Sequence, residues 1–225
     1  MTIAQLTLDL PHRAALGAED FLVSDCNRAA VRLIDAWPDW QDNVQLMTGP
    51  AASGKTHLAK VWQALSSARS LDPDNLAMDF VDAMDAGTPL VVEDVDRLDY
   101  DEKALFHLLN LAREKRLAVL LTARGTPRSW RVALPDLLSR LNGVPAVEIG
   151  PPDEALIRTV LLKHFADRQL DIDPKVVTYL ALHVDRSLAA AAAAVAAIDR
   201  AALATGRKIS RQLVMEVLEA SPATE

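Results

Sequence analysis

Residues 49–56 read GPAASGKT. The spacing G-x-x-x-x-G-K-T constrains the fold more than any other stretch, because it works only between a strand and a helix. The flanks supply both. An apolar run at 44–47 reads as a short strand, and Leu58, Ala59 and Trp62 recur at helical spacing, predicting a helix over 54–68. Glycines let the backbone wrap closely, and successive N–H groups at the helix N-terminus offer positive potential to a phosphate. In that geometry Lys55 reaches the β- and γ-phosphates and the Thr56 hydroxyl faces Mg²⁺. Gly49, Pro50, Ala51, Ala52, Ser53, Gly54, Lys55, Thr56 and the adjacent His57 are therefore the candidate nucleotide-binding residues, with ADP or ATP as ligand. The competing reading is a chance glycine turn before a helix, and the flanks weigh against it.

Such a loop needs a second strand that ends in acids, to hold the metal and polarise water. Residues 89–92, PLVV, lead into Glu93 and Asp94. The run is apolar throughout, as strands covered on both faces are. Glu93 is the candidate Mg²⁺ ligand beside Thr56, and Asp94 the candidate for orienting the attacking water. A solvated strand end is the alternative, since Asp96 and Asp99 continue the acidic run.

The same alternation extends along the first two thirds of the chain. Ala30, Leu33, Ile34 and Trp37 give a helical pattern within 21–37, with Ser24 and Asp25 as N-caps. Residues 100–115 read as a helix and 117–121 as a buried strand, whereas 76–86 fit no single period. Strands alternating with helices predict an α/β fold with a parallel sheet. Beyond Asp153 no strand is expected. Ile157, Val160, Leu161 and Phe165 mark one helix face, and helices are expected over 176–183, 186–204 and 210–218. GPPD at 150–153 is the expected boundary, dividing the chain into a tail (1–19), a nucleotide-binding domain (20–150) and a helical domain (151–225).

Net charge is −7, with 31 acidic against 24 basic residues, which argues against DNA as the main direct partner. Cys26 is the single cysteine, so no intrachain disulfide forms, and the five histidines lack metal-ligand spacing. The apolar run 189–198 is shorter than the ~20 residues that a membrane helix needs. No N-terminal basic segment precedes an apolar run. A cytoplasmic protein without a membrane partner is expected.

With these residues placed, the layout from about Phe21 to Leu218 resembles the AAA+ family, and within it the DnaA/Hda branch. The likeness is carried by the phosphate loop, the strand ending in Glu93 and Asp94, LLTARGTPRSW (120–130), LPDLLSRLNG (134–143), HVDRSL (183–188), and AIDRAAL with GRKIS within 197–210. The resemblance implies a P-loop AAA+ α/β domain with a small helical lid. It also implies an arginine finger at Arg140, a sensor at Thr122 or Arg124, and Arg186 over the nucleotide phosphates. Arg124 stands where the family commonly has an acid. An arginine inserted in trans is worth roughly 10³–10⁵ in hydrolysis rate. The implied function is a negative regulator of replication initiation, ADP-bound in its working state. It would stimulate ATP hydrolysis by the initiator DnaA, its own hydrolysis being weak. Two other readings stand beside this one: an autonomous AAA+ ATPase, such as a helicase loader or clamp-loader-like subunit using Lys55 and Asp94, and a binding module with a vestigial nucleotide site. The residue pattern alone also allows Arg140 an i,i+4 pair with Asp136, and Arg186 a pair with Asp185.

QLTLDL at 5–10 has two readings. As a strand it places Leu6, Leu8 and Leu10 on one face. As a peptide it offers leucines to an apolar pocket and Gln5 to a polar subsite. The resemblance implies the second, with Gln5, Leu6, Leu8 and Leu10 binding the DNA polymerase sliding clamp (β subunit). DNA is then reached only indirectly, through the clamp, and DnaA is the second partner. The DNA-binding domain that follows the lid in DnaA is expected to be absent, and self-association is left open.

Overall fold

A computed structural model describes residues 12–13, 21–72, 76–97 and 100–220. QLTLDL, with Gln5, Leu6, Leu8 and Leu10, lies outside the described residues, as does Asp99. The chain divides into two compact units. One holds the described residues of 25–150, with Arg13 and Phe21, and the other holds the described residues of 151–220, with Leu22–Ser24. Two-residue strands β1 (His12–Arg13) and β2 (Phe21–Leu22) precede the main elements.

The larger unit holds a five-stranded parallel sheet in the order β4-β5-β6-β3-β7. The strands are β3 (Val44–Thr48), β4 (Arg69–Leu71), β5 (Pro89–Val92), β6 (Ala118–Ala123) and β7 (Ala146–Glu148). The register sets Leu46 against Leu121 and Thr48 against Ala123. Every residue of β3 and β6 is buried, as expected of central strands covered by helices on both faces. The helices are α1 (Arg28–Asp35), α2 (Lys55–Ser66), α3 (Met78–Asp82), α4 (Glu102–Glu114) and α5 (Pro135–Asn142). Leu46, Leu90, Leu105, Leu108, Val119 and Leu121 share one core cluster. Each such side chain contributes about 1.5–3 kcal/mol by leaving water.

Helix α2 is fixed by aromatic packing. Trp62, fully buried, stacks on Trp40 with ring centroids 4.8 Å apart and meets Trp37 edge-on at 5.3 Å. The phosphate loop therefore runs into a helix whose opposite side is anchored.

The structure corrects one expectation and fills in what the sequence left open. The helix sought over 21–37 starts only at Arg28, after a strand at Phe21–Leu22. Its N-cap is Asn27, without a side-chain cap bond, and Asp25 pairs with Arg28 instead. Residues 76–86 resolve into the single turn-and-a-half of α3. Strands β4 and β7 have no counterpart in the sequence reading.

The smaller unit is helical, with α6 (Glu154–Asp167), α7 (Pro174–His183), α8 (Leu188–Thr205) and α9 (Arg211–Ala220). Asp153, Asp173 and Ser187 cap the first three, each accepting a backbone N–H of the first turn. Ile157, Leu161, Phe165, Leu180, Val195 and Val214 form its core. The apolar run 189–198 belongs to a helix of 18 residues, long and apolar enough by composition to cross a membrane. Here Ala191, Val195 and Ile198 of that helix are core residues.

Candidate functional site

The phosphate loop leaves the C-terminal end of β3. The Gly49 N–H donates to Ala123 O at 3.2 Å, which joins the loop to the end of β6. A Cβ on Gly49 would lie 2.6 Å from Ile149 O, so only glycine passes there. Gly54, with φ +101, makes the left-handed step into α2, a conformation in which glycine is unstrained.

Lys55 folds back over this loop. Its Nζ donates to Gly49 O at 2.8 Å and Pro50 O at 2.7 Å, and 7% of its surface stays exposed. Burial lowers its pKa from the ordinary lysine value. Asp94 and Asp96 pull it back up, Arg124 lowers it further and Glu93 raises it. Thr56, in the first turn of α2, donates its hydroxyl to Glu93 Oε2 at 2.6 Å. The buried Ser53 Oγ has no hydrogen-bond partner among the described residues. A phosphate group fits this set. Backbone alone can approach it at Gly49, Lys55 has only carbonyls to leave, and Ser53 offers an unused hydroxyl. His57 follows on α2, half-buried.

The acidic end of β5 is tied to β6. Asp94 adopts φ +53, and its N–H donates to Thr122 Oγ1 at 3.1 Å. The next N–H, of Val95, donates to Thr122 O at 2.9 Å. Thr122 is buried. Asp96 Oδ2 accepts the Arg124 N–H at 3.0 Å. Asp96, which the alternative of a solvated strand end counted in an acidic run, is thus a tie between the ends of β5 and β6. Among the described residues, no group of three or more His, Cys, Asp or Glu could hold a metal ion by itself. A divalent cation here would use Thr56 and Glu93 together with phosphate oxygens, the usual pattern for Mg²⁺.

Arg140 lies elsewhere. It sits on α5, and its Nη2 donates to Asn110 Oδ1 of α4 at 2.7 Å. Asn110 thus occupies the place that the sequence offered to Asp136. No local signal marks it, since the two residues are 30 apart. Arg140 lines a cavity of about 560 Å³ together with Asn43, Val44, Phe106, Arg113 and Ser139. Val44 begins β3 and Asn43 directly precedes it, whereas Gly49 follows its end. Five residues at about 3.3 Å each separate the two places by roughly 16 Å. The structure therefore brings Lys55, Thr56, Glu93, Asp94 and Thr122 together and leaves Arg140 at the far end of the strand. Arg186 belongs to the helical unit, exposed between α7 and the Ser187 cap of α8.

Residues 153–218 match the family model of the Hda lid domain. In sequence the chain is similar to the chromosomal replication initiator protein DnaA of Acinetobacter baylyi. The two are 24% identical over 201 residues, 80% of this chain and 43% of the relative. The chain thus spans less than half the length of that curated relative. In structure it is similar to domain III of Thermotoga maritima DnaA, with a TM-score of 0.69 at 20% identity over 89% of this chain and 94% of the other. AMPPCP-bound DnaA from Aquifex aeolicus gives 0.66 at 19% identity, over 80% and 63%. A Thermotoga maritima RuvB variant gives 0.67 at 15%, over 87% and 68%. At these identities the structures establish the fold, and the family match is to the lid segment. The chain thus has an AAA+-type α/β fold followed by a helical lid, and the lid segment matches the Hda lid domain.

Proposed function

We propose that the chain is a negative regulator of replication initiation that stimulates ATP hydrolysis by DnaA through Arg140, acting in trans while tethered to the sliding clamp. One observation carries this reading. Arg140 lies about a strand's length from its own phosphate loop, near the opposite end of β3, so a nucleotide bound by this chain is out of its reach. A guanidinium so placed can serve a nucleotide held by a partner, where it offsets charge on the transferred phosphoryl group.

The phosphate loop then holds the chain's own nucleotide, ADP in the working state. Thr56 and Glu93 hold Mg²⁺, and Arg186 of the lid contacts the phosphates. The support is the set of side chains assembled at Gly49 to Thr56 and the AMPPCP bound by two DnaA neighbours. Asp94 orients water for a slow hydrolysis of its own, its short side chain reaching less far than a glutamate. Gln5, Leu6, Leu8 and Leu10 bind the clamp, which brings the chain to DNA.

The test is ATP turnover by DnaA with this chain and clamp-loaded DNA. Arg140→Ala is expected to abolish the stimulation and to leave clamp binding intact; full stimulation by that variant defeats the proposal. Replacing Gln5 and Leu8 by alanine is expected to abolish clamp binding without altering the thermal midpoint. Steady ATP hydrolysis by the chain alone, lost in Lys55→Ala, favours an autonomous ATPase instead, a reading supported by the Thr56–Glu93 pair beside Asp94.

A further inference from the structure

Helix α7 reads PKVVTYLALH and contains no acid, in a chain with seven more acids than bases. Val176, Val177 and Leu180 belong to the core of the helical unit. Lys175, Tyr179 and Leu182, spaced i, i+4 and i+7, share the opposite face, with His183 beside them. Leu182 is 61% exposed.

Helix α9 continues this surface. The Arg211 guanidinium lies over the Tyr179 ring, 4.6 Å from its centroid, and His183 stacks on the same ring at 3.9 Å. Met215, 38% exposed, stands one turn along α9 from Arg211. Leu182 stands one turn along α7 from Tyr179. Such neighbours are about 5–6 Å apart on a helix surface, so both apolar side chains flank the Arg211–Tyr179 contact.

The charges around this face are uneven. Arg211 sits in the first turn of α9, where the helix dipole disfavours a cation and no acid balances it. It makes no ion pair among the described residues. The nearby acids are engaged elsewhere. Glu216 accepts from Arg207 at 2.8 Å, and Asp173 caps α7 by accepting the Lys175 N–H at 2.8 Å. The open charge on the face is therefore positive.

The side-chain types narrow the partner further. Tyrosine, methionine and arginine are enriched where proteins dock. Tyr179 also holds Arg211 in place beforehand, which lowers the ordering cost of binding. A small anion would pair with Arg211 but leave Leu182 and Met215 in water. A phosphodiester strand has the charge but no aliphatic groups to cover them. A protein segment with carboxylates beside leucine-like side chains meets both needs.

We propose that the outward face of α7 and α9 docks an acidic, leucine-bearing segment of a partner protein. Its carboxylates meet Arg211 and Lys175, and its aliphatic side chains cover Leu182 and Met215. This docking does not rest on the activity assigned to Arg140, since the face lies wholly within the helical unit and binding is read without DnaA.

The experiment is fluorescence anisotropy of a short labelled peptide that repeats Leu-Glu-Glu-Leu, titrated with the full chain at low salt. Peptides with lysine for glutamate, or serine for leucine, are expected to bind at least about tenfold more weakly. Leu182→Ser and Arg211→Gln are each expected to weaken the acidic peptide about tenfold or more, the scale of one buried leucine or one charge-assisted contact. Their unfolding midpoints should stay near the parent's. Leu65→Ser on α2 and Lys103→Gln on α4 change exposed residues of the other unit in the same way and are expected to leave binding unaltered. No binding of the acidic peptide by the parent overturns the proposal. So does equal binding of the lysine peptide, or parent-like binding by both variants of the face. Binding to phosphatidylserine vesicles with the same loss in Leu182→Ser assigns the face to a membrane surface and overturns it too. Displacement of the peptide by a thymidine oligonucleotide does the same in favour of nucleic acid. Arg140→Ala is expected to bind the peptide like the parent, so failure here is distinct from failure of the DnaA test.

Discussion

The Thr56 hydroxyl donates to Glu93 Oε2 across 2.6 Å, joining the first turn of α2 to the end of β5. Two oxygen donors from distant parts of the chain therefore converge where a nucleotide-bound Mg²⁺ would need them. Glu93→Gln keeps the shape and removes the charge. Calorimetric titration with ADP is expected to show Mg²⁺ tightening the parent, and the variant losing about tenfold of that gain, roughly 1.4 kcal/mol. An equal Mg²⁺ effect in both would mean that the pair only fastens β5 to α2.

Lys55 makes the site sensitive to alkali. Burial lowers its pKa below 10.5, partly opposed by Asp94 and Asp96. Between the folded value and the ordinary unfolded one, the unfolded chain binds more protons, so this lysine makes stability rise with pH in that window. Below the folded pKa both states are charged and the contribution is flat. A bound phosphate restores the ammonium form, so nucleotide affinity is highest below the lowered pKa and falls as pH rises through it. Thermal shifts induced by ADP across the alkaline range check both trends. Lys55→Met is expected to lack them and to bind nucleotide at least about 100-fold more weakly, the loss of a buried charge-assisted contact.

Two glycines separate site geometry from backbone strain. A Cβ at Gly49 meets Ile149 O at 2.6 Å and Ser53 Oγ at 2.9 Å. Ile149 is itself held by its N–H to Thr48 O at 2.8 Å, so the carbonyl cannot withdraw without loosening β7. Gly49→Ala is expected to cost about 1–3 kcal/mol by overpacking and to abolish nucleotide binding. At Gly87, φ is +77 and nothing lies within 4 Å of a Cβ. Gly87→Ala is expected to cost only left-handed strain, about 1–2 kcal/mol, with binding unchanged. Denaturant unfolding and ADP titration of the two variants give the comparison, and weakened binding in Gly87→Ala alone would reverse the assignment.

The parts legible in the sequence are those whose chemistry is local. Gly49, Gly54, Lys55 and Thr56 announce strand, loop and helix, because only that geometry uses all four. Runs such as PLVV announce β5, because a strand buried on both faces needs no alternation. The edges were not legible. In β4 only Leu71 is buried, and Ala146 and Glu148 of β7 are exposed, so neither strand has a periodic signal. Side chains that act across the fold were hidden as well. Asp96 reads as one more acid in a run until β6 places the Arg124 N–H beside it.

Asn110 is the remaining case, and it bears on the proposed activity. Its Oδ1 accepts from Arg140 Nη2 at 2.7 Å, half-buried between α4 and α5. An arginine side chain loses about 2 kcal/mol of rotamer freedom when it is fixed, and Asn110 has already imposed part of that order. Asn110→Ala is therefore expected to lower the maximal rate of DnaA ATP hydrolysis about 10- to 100-fold, the range for a misplaced reacting group. Clamp binding, ADP affinity and the chain concentration giving half-maximal stimulation should stay near those of the parent. Asn110→Asp keeps an acceptor and is expected to restore much of the rate, which a packing role would not require. If the maximal rate is unchanged while half-maximal stimulation shifts, Asn110 belongs to the docking surface and Arg140 finds its position only in the complex.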